Sequence, residues 1–63
     1  MISHKTKDLI AWLNCITTNL YEIKEHNWVF EIWINCNLYS HNIYDNENKL
    51  QDRIKRIIRS YLD

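Results

Sequence analysis

Leu9, Leu13, Ile16, Leu20 and Ile23 fall at spacings of four, three, four and three. That is the repeat of a helix burying one stripe, with Trp12 beside it. Ser3 or Thr6 can cap its start, and Asp8 sits near the positive end of the helix dipole. The pattern predicts a helix over about residues 5–25, weakened in the middle by the β-branched pair Thr17-Thr18. From Trp28 to Tyr39 the period changes to two. Phe30, Ile32, Ile34, Cys36 and Leu38 alternate with Val29, Glu31, Trp33, Asn35, Asn37 and Tyr39. Alternation in β-branched and aromatic residues predicts a strand over about 28–39. A helical reading of this segment would leave Phe30, Ile34 and Leu38 off the face of Val29, Ile32, Trp33, Cys36 and Ile43. Leu50, Ile54, Ile57 and Tyr61 then repeat at four, three and four, widened by Ile58 and Leu62, after Asp45 or Asn46 as a cap. A second helix is predicted over about 46–62, with Asp52 and Arg56 at the i,i+4 spacing of a favourable pair.

The expected fold class is α+β: a single domain over 1–63, helix–strand–helix, with two amphipathic helices on a small antiparallel sheet. The alternative is an all-α three-helix arrangement. A hairpin variant, with Asn19–Lys24 as a first strand turning at Glu25-His26-Asn27, is opposed by the stripe running through Ile23. A lone strand has two unpaired edges, which a second copy, a target's sheet edge or a further short strand of this chain can pair, and completion by a second copy or by a partner is expected.

Composition sharpens this picture. The 63 residues are 46% hydrophobic with three Trp, four Tyr and one Phe, which rules against intrinsic disorder. Gly and Pro are both absent. Lack of Gly excludes phosphate-cradling loops of the Walker or dinucleotide type. It also passes the left-handed turn positions to Asn, of which Asn27, Asn42 and Asn46 are the expected users. The residues Ile, Asn, Lys and Tyr are abundant and have AT-rich codons, which suits a phage or mobile-element gene.

Formal net charge is zero, so no global field draws the chain to nucleic acid or to an acidic membrane. One local basic patch stands out. Lys49, Arg53 and Arg56 fall on one line of the second helix, with Lys55 and Arg59 on its flanks. Such a patch can lie on phosphates, engage an acidic protein, or be a solvated helix face. The longest apolar run, Leu9 to Leu13, is far short of a membrane span, so no membrane partner is expected. The N-terminus, Met1 to Lys5, carries no hydrophobic stretch of the secretory kind, so a cytoplasmic, reducing location is expected with Cys15 and Cys36 free.

Candidate chemistry is sparse. His4, His26, His41, Cys15 and Cys36 show none of the spacings that pre-position zinc ligands. The cysteines are expected to be buried as small hydrophobes. No catalytic residue, metal or cofactor is expected. The second strand face, with Val29, Glu31, Trp33 and Tyr39, is the expected protein interface, because Trp and Tyr anchor interfaces. The competing reading makes both strand faces core. The expected function is a small non-catalytic protein-binding regulator or inhibitor that occludes its partner. The alternatives are a nucleic-acid-binding regulator using the basic helix, and a small subunit or assembly factor of a larger complex.

Overall fold

The computed structural model describes residues 2–63, and for residues 39–42 the backbone path alone. The order is α1 (His4–Ile16), β1 (Tyr21–His26), β2 (Val29–Ile34), β3 (Asn37–Tyr44) and α2 (Glu47–Leu62). The fold is α+β, with two helices and a small antiparallel sheet of order β1-β2-β3.

Helix α1 starts where Ser3 caps it: the Ser3 hydroxyl accepts from the Thr6 N–H at 3.4 Å. It ends at Ile16, not near residue 25 as the stripe predicts. The reason is a set of local bonds that compete with the helix. Asn14 acts as a surrogate strand partner for Tyr21, its Nδ2 donating to the Tyr21 carbonyl at 3.0 Å and its Oδ1 accepting from the Tyr21 N–H at 2.7 Å. The Thr17 hydroxyl accepts from the Asn19 N–H at 3.2 Å. The Leu20 N–H goes to Asn35 Oδ1 at 2.8 Å, and the Asn35 N–H donates to the Leu20 carbonyl at 2.8 Å. The chain thus leaves the helix and enters β1, where Tyr21 and Ile23 face inward and Glu22, Lys24 and His26 outward. Ile23 keeps its inward position by a period of two rather than by the helical repeat.

The strand predicted over 28–39 is two strands. Both hairpins close through two-residue turns with positive φ at both positions: Asn27 (51°) and Trp28 (66°), then Asn35 (53°) and Cys36 (69°). Turns of this handedness match the strand twist and ordinarily take Asn-Gly. Without Gly, Trp28 and Cys36 occupy the second left-handed position. Cys36 therefore lies exposed in a turn, and Cys15 is exposed on α1, both free and neither buried as predicted. Asn27 turns as expected. Asn46 instead caps α2, accepting from the Lys49 N–H at 2.8 Å. Asn42 lies in β3, its side chain outside the described residues, as is that of His41.

The register pairs Tyr21, Ile23 and Glu25 with Ile34, Ile32 and Phe30. Across β2 and β3, Phe30 pairs with Tyr44 and Ile34 with Asn37. Between the pairs Glu31–Ile43 and Trp33–Leu38, residues 39–42 of β3 lie opposite the single Ile32, a bulge that breaks the ladder. One face of this sheet carries Tyr21, Phe30 and Ile32, which form one buried cluster with Leu13 of α1 and Leu50, Ile54 and Ile58 of α2. Both helices therefore cover the same face. With partners on both sides, β2 needs no second copy to satisfy its backbone.

A polar knot ties the two helix starts together. Thr6 is fully buried, and its hydroxyl donates to Glu47 Oε2 while accepting from Gln51 Nε2 at 2.9 Å. The Ser3 N–H donates to the same carboxylate oxygen at 2.9 Å. The Ser3 hydroxyl, the Thr6 hydroxyl and the Ser3 N–H together hold the Glu47 carboxyl down at about 2, from an ordinary 4.5, against a smaller opposing effect of burial.

Candidate interface on the outer face of the sheet

The face opposite the helices is built by strand alternation. Trp33 lies between Glu22 of β1 and Leu38 of β3, Glu31 between Lys24 and Ile43, and Val29 opposite His26. The expected interface residues Val29, Glu31 and Trp33 do share this face. All three are half-buried although no helix covers them. Tyr39 falls in β3, with its side chain outside the described residues.

Their burial comes from one another. Lys24 Nζ stands 3.9 Å above the centre of the Trp33 ring, a cation–π contact. The Trp33 indole N–H donates to Glu31 Oε1 at 3.1 Å, and His26 Nε2 bonds the same oxygen at 2.7 Å. The Glu31 side chain is only 12% exposed. Its carboxyl is held below the usual range, first by the Trp33 hydrogen bond and then, against the opposing effect of desolvation, by the bond and charge of His26 and the charge of Lys24. The Trp33 ring is thereby fixed in orientation, with one side under a cation and its edge on a carboxylate. Leu38 and Ile43 flank it at 43% and 57% exposure, and Trp28 at the first hairpin tip is 87% exposed.

Sequence alternation assigned Leu38 to the face of Phe30 and left Ile43 in a loop. The Asn35-Cys36 turn reverses the alternation, so Asn37 pairs with inward Ile34 and Leu38 moves outward. Lys24 was hidden in the overextended helix, and His26 fell in the turn region between the predicted helix and strand. The alternation Tyr21-Glu22-Ile23-Lys24 is the signal that would have found them.

Lys49, Arg53 and Arg56 follow one line of α2, with Lys55 and Arg59 on its flanks, and their surroundings differ. Lys49 is exposed and pairs with Asp45 at 3.1 Å. Half-buried Arg53 and exposed Arg56 line a groove toward the start of β1, together with Ser60 and Tyr61. Lys55 and Arg59 line another groove with Trp12 and Leu62, between the two helices. In the first groove the Tyr21 and Tyr61 hydroxyls lie 2.9 Å apart, and Asn19 Nδ2 donates to the Tyr61 hydroxyl at 3.1 Å. The Tyr61 phenol is lowered from its ordinary value by bonds with Tyr21 first, then Thr17 and Asn19.

Among the described residues, no group of three or more His, Cys, Asp and Glu is arranged to hold a metal. None of their helices is long and apolar enough to cross a membrane. Comparison with known proteins finds no family model that matches the chain, and no curated protein or solved structure similar to it.

Proposed function

We propose that this protein is a non-catalytic binding module, a small regulator or inhibitor that lays the outer face of its sheet against a partner protein and occludes part of that partner's surface. One observation carries the reading: two helices cover one face of the sheet, while the other bears an oriented Trp33 flanked by exposed Leu38 and Ile43. An aromatic anchor among apolar neighbours, edged by charges that bond one another, matches the composition of interface centres. The proposal extends to a cytoplasmic setting, in which both exposed thiols stay reduced.

The test is affinity capture with the tagged chain from native lysate, with and without nuclease, followed by binding measurements on the captured protein. Trp33→Ala is expected to keep the thermal transition and to weaken binding by about 2 kcal/mol or more, roughly thirtyfold in Kd. A Trp33→Ala chain that folds and binds as tightly as the parent would refute the outer face as the interface.

The basic belt on α2 favours a second reading, nucleic-acid binding through Lys49, Arg53, Lys55, Arg56 and Arg59. Apart from Asp52 the solvent side of this helix is cationic between Lys49 and Arg59. Binding of this kind falls steeply with salt and is lost on nuclease treatment of the captured complex.

A further inference from the structure

We propose that the outer edge of β1 pairs with β1 of a second copy of this chain, antiparallel about a two-fold axis at Ile23. The product is a homodimer whose sheet is continuous through both copies. This contact uses a strand edge, and leaves the outer face of the sheet and its protein partner as a separate matter.

Three observations support this pairing. The first is an open backbone position. Asn14 accepts from the Tyr21 N–H and donates to the Tyr21 carbonyl, so both groups point away from β2. Alternation along the strand gives Ile23 the same sense, and its pair with Ile32 is one in which neither residue bonds the other. Among the described residues none bonds the Ile23 N–H or carbonyl, and such an edge is a template for another strand. The second is charge. The edge reads Glu22-Ile23-Lys24. Turned end for end about Ile23, this triplet is its own complement: Glu22 of each copy meets Lys24 of the other, and Ile23 meets Ile23. Opposite charges then occupy the close, non-hydrogen-bonded pairs, where cross-strand attraction is strongest. An axis at Glu22 or at Lys24 would instead set like charges face to face, so the register is specified. The third is apolar surface. On the inner side of this edge a groove of about 400 Å³ lies between α1 and β1, with Ile2, Ile10, Ala11 and Ile23 in its lining. The axis brings the grooves of the two copies together beside the paired Ile23 side chains. Asn14 competes with this contact, because its amide stands where Glu25 of the second copy would bond Tyr21. It shields part of the edge in the monomer and is displaced in the dimer.

The test is sedimentation equilibrium of the full chain, with circular dichroism confirming that each variant folds. The expected result is a mass that rises from one chain to two with concentration, while exchange of the Ile23 amide slows in step. Glu22→Lys and Lys24→Glu alone should each weaken self-association about tenfold, since each turns both cross-strand pairs repulsive. Mixed in equal amounts, the two variants should form a heterodimer as tight as the parent dimer, because every pair is again of opposite sign. This rescue matters because Lys24→Glu also removes the cation over Trp33. Asn14→Ala should tighten the dimer about fivefold by removing the competitor. Trp33→Ala should leave it unchanged, which separates the edge from the outer face. A chain that stays monomeric to about 1 mM, or a dimer whose charge-reversed variants associate no better mixed than alone, would overturn the proposal. So would a monomer whose Ile23 amide is protected only in complex with a captured protein, which would put a partner's strand on this edge instead.

Discussion

Glu47→Gln isolates the charge at the knot joining the two helix starts. The substitution keeps an oxygen that can accept from the Ser3 N–H and the buried Thr6 hydroxyl, but removes the ionised acceptor. Charge-assisted bonds are about twice as strong as neutral ones, and a hydrogen bond to a charged group contributes about 1.5–3 kcal/mol. Glu47 also opens α2, where a negative charge is favoured by about 0.3–1 kcal/mol. The side chain is half-buried, so solvent competes and the lower end of this range applies, a loss of about 1.5 kcal/mol. Domains of this size rarely draw more than about 3–5 kcal/mol from one core, so the loss is a large share. Urea unfolding followed by tryptophan fluorescence, with m near 1 kcal/mol/M, should show the midpoint fall by about 1.5 M at pH 7. Acid gives the sharper check. The unfolded carboxyl protonates near 4.5 and the native one only near 2. The charge therefore contributes fully above about pH 4.5, and its contribution is lost as pH falls toward 2. The gap between parent and variant should close over that window, since every other carboxyl is common to both. A gap that stays constant from pH 7 to pH 2, or a midpoint shift below about 0.5 M at pH 7, would show that the charge does not hold the knot.

Trp28 adopts a φ of 66° while 87% exposed, so Trp28→Gly removes left-handed strain of about 1 kcal/mol and gives up almost no burial. The expected result is a thermal midpoint raised by a few degrees; a lowered midpoint would mean that the exposed ring stabilises the hairpin. Ile32 is fully buried between Ile23 and the bulge of β3, so Ile32→Ala should cost about 2–5 kcal/mol. Near-ultraviolet circular dichroism should report a largely unfolded population, and a native spectrum with an unchanged midpoint would contradict the packing.

The second helix was legible because its cap, Asn46, and its apolar spacing agree, and β2 because its alternation holds from Val29 to Ile34. The first helix was legible only to Ile16. Beyond it Leu20 and Ile23 continue the helical spacing by coincidence, while the decisive contacts are side-chain amides of Asn14 and Asn35 reaching backbone in another segment. No local periodicity records such bonds. The second turn was hidden for a different reason: Asn35-Cys36 lacks the Gly that normally marks a left-handed pair, so alternation ran through it unbroken. Of the candidate interface, Val29, Glu31 and Trp33 followed from period two alone. Leu38, Ile43, Lys24 and His26 required the hairpins to be known first.

The order of synthesis gives the closing role of α2 a consequence. Leu50, Ile54 and Ile58 of this helix fill the same core as Phe30 and Ile32, and Glu47 reaches back to Ser3 and Thr6. Hairpins such as β1–β2 form in about 1–10 μs, whereas a ribosome adding about 5–20 residues per second needs on the order of one to three seconds for the 16 residues of α2. For that interval the nascent sheet has strands, turns and an apolar face, but only one of its two covering helices. The risk of aggregation is concentrated there, and a chain truncated before Glu47 would stay permanently in that state.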